Sequence, residues 1–193
     1  MEMSIIIIIF TKNLNYFQIM CYSVYSTVCE DYMELLEEIS EHHKNKEYRP
    51  VVVLIIKNQA SEYLIVQSVK GIKPWSFPQG GIENGEVPED ALFREIEEEV
   101  GIKENELNLL LKNFFYKTVD APSDRKDKRG FTKGKAYYFN YCKYTGSPEL
   151  TLQEEELNNY EWVNFDRLVE LLKLGRKEKL NMTLEAIKLL ENL

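Results

Sequence analysis

Between Pro88 and Val100 the sequence PEDALFREIEEEV sets six acidic side chains and one arginine within thirteen residues. At about 100° per residue, Leu92, Phe93, Ile96 and Val100 fall on one helical face and Glu95, Glu98 and Glu99 on another. Glu95 and Glu99 are four apart, and a like-charge pair at that spacing costs roughly 0.2–0.5 kcal/mol in an isolated helix. Two readings of the acidic face stand: a solvated surface, or ligands for a divalent cation. Mg²⁺ and Mn²⁺ prefer carboxylate, carbonyl and water oxygens, and glutamates at three- and four-residue spacing can converge on one ion. The residues upstream favour the cation. Gly80-Gly81, after Pro78-Gln79, makes a loop whose backbone can approach a metal or a phosphate because no Cβ obstructs it.

The helix carrying these glutamates has readable ends. Pro88 suits a first helical position and Gly101 a left-handed C-cap, so the spacing predicts a helix from Pro88 to Val100. The whole pattern is Gly80, five residues, Glu86, seven residues, then Arg94-Glu95-Ile96-Glu97-Glu98-Glu99-Val100-Gly101-Ile102. It resembles the Nudix box, with all nine specified positions filled over 23 residues, which makes the match far more specific than a lone glycine motif.

The resemblance covers about Tyr48 to Leu174. It implies an α/β Nudix fold, a mixed β-sheet sandwiched between helices, and Mg²⁺- or Mn²⁺-assisted hydrolysis of a nucleoside diphosphate linked to another group. Carried over by position, Glu95, Glu98 and Glu99 are implied metal ligands, the Gly80 carbonyl is a further one, and Glu86 and Arg94 form a buried supporting pair. A general base is required to take the proton of an attacking water, and Glu98 or Glu99 fills that role. Val87 departs from the hydroxyl cap many members carry before the proline, which weakens the helix start without touching a ligand.

Tyr48-Arg49-Pro50 and Trp75-Ser76-Phe77-Pro78-Gln79-Gly80-Gly81-Ile82 resemble the bacterial RNA 5′-pyrophosphohydrolases and the related dinucleoside polyphosphate hydrolases. In that comparison Glu156, seven residues before Val163, stands where those enzymes place an additional metal-binding glutamate, and Arg49 is an expected substrate contact. Glu154 and Glu155 are adjacent, so a shifted register or an ordinary acidic loop is also open.

The elements that must position these groups follow from periodicity. Strand-like runs occur at Val51–Ile56, Tyr63–Val66, Leu107–Tyr116, Ala136–Tyr141 and Tyr160–Val163, the first two separated by a polar break suited to a hairpin. Tyr137-Tyr138-Phe139 is expected to alternate between core and surface. Asn164 predicts a helix cap for Phe165–Leu174, and a last helix is expected after Asn181, with Leu184, Ile187 and Leu190 on its apolar face. Residues 1–47 read as an N-terminal extension of uncertain structure, helical in part over Asp31–His43, and residues 48–193 as the hydrolase domain with its C-terminal helices. His42 and His43 then lie outside the domain, at the surface.

Between Lys117 and Lys135 seven basic residues face three aspartates, a net +4 in a chain of net charge −8. Arg129, Lys133 and Lys135 are candidate contacts for a polyphosphate tail, and Tyr137 or Phe131 for stacking on a base; a plain solvated loop is the other reading. The overall negative charge argues against duplex DNA. The six-residue apolar run Ile5–Phe10 is far short of the roughly 20 residues that span a bilayer, so no membrane partner is expected. Cys21, Cys29 and Cys142 are odd in number with no paired spacing, which fits a reducing, cytoplasmic setting and argues against a thiolate metal site. The expected partner is a nucleotide polyphosphate, an RNA 5′-end or a dinucleoside polyphosphate, with ADP-ribose, a nucleoside triphosphate or a silent nucleotide-sensing domain as alternatives.

Overall fold

The computed structural model describes residues 22–69, 74–122 and 127–193, so the apolar run Ile5–Phe10, Cys21, Arg125 and Lys126 lie outside the described residues. The chain runs α1 (Tyr22–Asn45), β1 (Tyr48–Lys57), β2 (Tyr63–Ser68), β3 (Trp75–Ser76), β4 (Gln79–Gly81), α2 (Pro88–Val100), a 3-10 turn, β5 (Leu107–Asp120), β6 (Gly134–Tyr144), β7 (Leu157–Val163), α3 (Phe165–Leu172) and α4 (Lys177–Leu190). Seven strands form one sheet in the order β3-β2-β1-β6-β5, with β4 also on β1 and β7 also on β2. Among the described residues only β1 and β6 run parallel; the other pairs are antiparallel.

Two apolar clusters sandwich this mixed sheet. Val52, Leu54 and Ile56 of β1 point toward Ile39 of α1 and Ala91, Leu92, Ile96 and Val100 of α2. Val51, Val53 and Ile55 point the other way, toward Leu168, Leu171 and Leu172 of α3 and Met182, Ala186 and Ile187 of α4. The period of two sends alternate residues to opposite cores. That is why Tyr137, Tyr138 and Phe139 are all buried instead of alternating between core and surface: both faces of β6 are covered.

β5 carries an irregularity that a period of two does not show. Its register to β6 shifts around Leu109 to Phe115, Asn113 adopts φ 45°, and its freed N–H donates to the buried Asn140 Oδ1 at 2.9 Å. α3 begins as expected, with the Asn164 side chain accepting from the Arg167 N–H, and ends two residues early at Leu172. α4 starts four residues before Asn181 without a side-chain cap, and its buried stripe is Met182, Thr183, Ala186 and Ile187. Of the expected apolar positions Ile187 is in that stripe and Leu190 packs at its edge, while Leu184 lies outside the cluster. Among the described residues no helix is long and apolar enough to cross a membrane.

Candidate active site

The glycine loop is built into the sheet. β4 pairs antiparallel to β1 with Val53 opposite Gln79, Val52 opposite Gly80 and Val51 opposite Gly81. The chain then turns and enters α2 at Pro88, after an extended Val87 that makes no side-chain cap. Gly101 ends the helix at φ 72°, a left-handed conformation that strains any other residue, and its N–H donates to the Glu97 carbonyl. The apolar stripe Leu92, Ile96 and Val100 fixes the helix on the sheet, and the acidic stripe is thereby turned toward the glycine loop.

Arg94 locks loop and helix together. Its Nε and Nη2 donate to the two Glu86 oxygens at 2.8 and 2.9 Å, and Nη2 also donates to the Gly81 carbonyl at 3.0 Å. Glu86 in turn accepts from the Glu83 N–H at 2.8 Å. Burial opposes ionisation of Glu86, but the Arg94 and Glu83 hydrogen bonds outweigh it and hold the carboxyl below its usual range. The pair is half-buried, an outer position relative to the one expected.

The three helix glutamates have different surroundings. Glu99 is 7% exposed and accepts from the Gln79 N–H at 3.2 Å. Glu95 lies against Gly80 so closely that a Cβ there would fall inside its carboxylate. Glu98 is exposed, and Arg94 Nη1 reaches Glu95 at 2.8 Å and Glu98 at 3.5 Å. Burial pushes the Glu99 carboxyl up to about 8; the Gln79 hydrogen bond and Lys135 oppose this, while Glu95 and Glu156 add to it. Glu156 therefore stands beside Glu99, and the backbone shows how: Gln153 N–H donates to the Glu99 carbonyl at 3.0 Å and starts the turn that ends at Glu156. Within that turn Glu154 and Glu155 are exposed and Glu156 is half-buried, so Glu156 alone of the three faces inward.

These groups fit a hard divalent cation. The donors are all oxygens, Glu99 is a buried carboxylate next to two further carboxylates, and the bare Gly80 backbone leaves room for Glu95 beside its carbonyl. Among the described residues, no three acidic, His or Cys side chains already converge on one point.

The raised Glu99 pKa makes a stability prediction for metal-free protein. Below the unfolded value near 4.5 the carboxyl is protonated in both states and costs nothing; between that value and about 8 the unfolded state ionises first, so stability falls as pH rises. In chelator, Glu99→Gln is expected to raise stability by on the order of 4 kcal/mol at pH 8 and by much less at pH 5, read from urea unfolding. A gain independent of pH would show that Glu99 is not the titrating group.

The remaining expected contacts divide. Arg49 stands opposite Lys135 across the parallel β1–β6 pair, packs against Gly81, and has Arg129, Asp127 and Glu95 as charged neighbours. Lys135 also lies near Glu99. Lys133 is exposed and held by Glu47 at 2.6 Å, and Arg129 is exposed at the rim. Tyr137 does not offer a ring to a base: it is 1% exposed, within the core beneath α3 and α4, with Lys179 Nζ 5.6 Å from its centroid. Phe131 is likewise covered, with Lys46 over its ring and His43 at its edge. His43 itself is half-buried, its Nε2 donating to the Ile82 carbonyl at 3.1 Å, which corrects its reading as a surface residue. Its sequence signal was weak, because a histidine on a polar helix end carries no periodicity.

The chain matches the NUDIX domain over residues 47–185. An RNA pyrophosphohydrolase of Helicobacter pylori (strain ATCC 700392 / 26695) is 33% identical over 135 residues, covering 67% of this chain and 84% of that protein. Among solved structures, a C. elegans Ap4A hydrolase in a binary complex superposes with a TM-score of 0.56 at 17% identity, over 74% of this chain and 99% of that one. The E. coli dihydroneopterin triphosphate pyrophosphohydrolase gives a TM-score of 0.58 at 19% identity, over 70% of this chain and 94% of that one. At those identities the two structures bear on the fold, and both share the helix-flanked mixed sheet. A filled box, placed by that fold so that its glutamates meet its glycine loop, leaves one conclusion: the chain belongs to the Nudix family and is a Nudix pyrophosphohydrolase.

Proposed function

We propose that the substrate is a nucleotide polyphosphate, an RNA 5′-end or a dinucleoside polyphosphate, hydrolysed at a pyrophosphate bond with Mg²⁺ or Mn²⁺ held by Glu95, Glu98, Glu99, Glu156 and the Gly80 carbonyl. The observation that carries this reading is Arg49, whose Nε is buried with no hydrogen-bond acceptor among the described residues. A buried donor left unpaired costs about 1–3 kcal/mol, and a phosphate oxygen is the acceptor a guanidinium fork suits best. Burial, and then the nearby Arg129, hold the Arg49 pKa below its usual value, against the opposing pull of Asp127 and Glu95. The Helicobacter pylori relative, an RNA pyrophosphohydrolase, supports the same reading.

When bound, Mg²⁺ or Mn²⁺ offsets the charge of the pyrophosphate and acidifies water at the site. The chain supplies the rest. Arg49 and Lys135 hold phosphate oxygens on the β1–β6 side, Arg129 and Lys133 extend positive charge toward the distal phosphates, and Arg94 with Glu86 keeps the loop and helix in register. As water attacks phosphorus and the bridging P–O bond breaks, the proton passes to Glu98 at the solvent side or Glu99 inside. A cytoplasmic site of action goes with this substrate class.

A panel of triphosphorylated RNA, diadenosine tetraphosphate and ADP-ribose tests the reading. Replacing Arg129, Lys133 and Lys135 together with alanine is expected to raise KM on the order of tenfold for substrates with three or more phosphates. ADP-ribose, with two, should change much less. The effect should also shrink as salt rises, because exposed charges are screened over roughly 8–10 Å. Equal losses on both substrate types would favour an ADP-ribose enzyme.

A further inference from the structure

Lys46 follows α1 and lies just before the 47–185 match. It closes the helix in a left-handed conformation at φ 53°, its N–H donating to the His42 carbonyl at 3.1 Å. Its own carbonyl accepts from the Thr132 N–H at 2.8 Å, which ties the end of α1 to the basic stretch before β6. Its Nζ stands 4.6 Å over the Phe131 ring and pairs with no carboxylate among the described residues. A left-handed backbone favours glycine or asparagine over lysine, and an exposed cation–π contact returns no more than that conformation costs. Stability therefore does not account for a lysine here.

What the ammonium adds is charge beside the site. His43, one turn back along α1, meets the Ile82 carbonyl at the end of the glycine loop at 3.1 Å and the edge of Phe131 at 5.7 Å. Lys46 and Arg129 are both charged neighbours of His43, and Arg129 is also a charged neighbour of Arg49. Positive charge thus continues outward from half-buried Arg49, through Arg129, to exposed Lys46.

The aromatic rings on this side decide what ligand that charge suits. Tyr48, Phe131 and Tyr137 each have a lysine Nζ over the ring, from Lys133 at 6.0 Å, Lys46 at 4.6 Å and Lys179 at 5.6 Å. Phe131 and Tyr137 are buried as well. A second nucleoside leaving the recess would need an open ring face to stack on, whereas a chain of phosphodiesters needs cations. The rim offers cations.

We propose that Lys46 binds a phosphodiester of the RNA chain beyond its 5′-terminal polyphosphate, so that the residue closing α1 selects RNA 5′-ends over dinucleoside polyphosphates. The inference rests on the polyphosphate-substrate reading and narrows it to RNA.

The test follows steady-state hydrolysis of a short 5′-triphosphorylated RNA and of diadenosine tetraphosphate by the full chain, across a range of salt. Lys46→Gly removes the ammonium and suits the left-handed backbone; Lys46→Asn does the same with a side chain retained, and Lys46→Arg keeps the charge. Lys46→Gly and Lys46→Asn are expected to raise KM for the RNA about fivefold, with kcat and the KM for diadenosine tetraphosphate within about twofold of wild type. Lys46→Arg should stay near wild type on both. The slope of log KM against log salt for RNA should flatten by about 0.7, the share of one phosphate on a single strand. Urea unfolding of Lys46→Gly should be at or above wild type, whereas a lysine kept only for Phe131 would lose stability and leave both KM values unmoved. An unchanged RNA KM in either neutral variant overturns the proposal, as does an equal rise on both substrates, which would put Lys46 on the shared polyphosphate. Hydrolysis of diadenosine tetraphosphate but not RNA by the wild-type protein overturns it and leaves the polyphosphate reading standing; hydrolysis of neither removes that reading and the inference with it.

Discussion

Glu98→Gln and Glu99→Gln are each expected to lower turnover roughly a hundredfold or more with the fold retained, because each removes a ligand or the base from the transition state. The two variants should part company in stability. Glu98 is exposed at the rim of α2, so its replacement should leave urea unfolding almost unmoved. Glu99 is buried next to Glu95 and Glu156, so its neutral replacement relieves repulsion and should be the more stable of the pair in chelator. A pH profile of kcat on the less impaired variant then identifies which carboxylate takes the proton. Wild-type turnover in both would end the assignment of the acidic face.

Gly80→Ala is the second large effect expected, and it needs no change of charge. A methyl at Gly80 would occupy the space of the Glu95 carboxylate, and the group displaced is the far end of a flexible side chain rather than backbone. Glu95 can swing away at little cost to folding, leaving a ligand out of place. Turnover should fall about tenfold to a hundredfold, since misplacing a reacting or coordinating group by about 1 Å is costly, while the unfolding midpoint stays close to wild type. Raising Mn²⁺ should recover part of the loss. A variant that unfolds readily, or one that keeps full activity, would contradict the closeness of Gly80 and Glu95.

Much of this was legible in the sequence because it depends on local rules. Pro88 and Gly101 delimit α2 at the residues observed, since a missing N–H and a left-handed φ are properties of single residues. Asn164 capped α3 for the same reason. Five of the seven strands emerged from β-branched and aromatic runs, with ends that match or differ by up to four residues, while the short β3 and β4 carry no such run. What failed depended on what packs where. Tyr137 looked available because a strand alone does not say that both its faces will be covered. The start of α4 was missed because Lys177 to Lys179 is polar and uncapped, and packing of Leu180, Met182 and Ala186 holds that turn. The bulge at Asn113 and its partner Asn140 lie 27 residues apart and leave no local trace. The inward position of Glu156 over Glu154 and Glu155 depends on one backbone bond to the end of α2.

The single parallel pairing in the sheet bears on how the enzyme comes into being. β1 and β2 can zip locally across a short turn, as can β5 and β6 once the loop between them closes, but Arg49 meets Lys135 only after about 86 residues of chain have been brought round, an entropic cost that grows as the logarithm of that length. Long-range parallel pairing of this kind is slow to nucleate. The hairpins and α2 are therefore expected to gather early, and the cationic side of the site to be joined to its acidic side late. A refolding chain would regain protected helix and hairpin amides before it regains hydrolysis, and a nascent chain still lacking β6 would carry a complete acidic box with no Lys135 opposite Arg49 to complete its grip on phosphate.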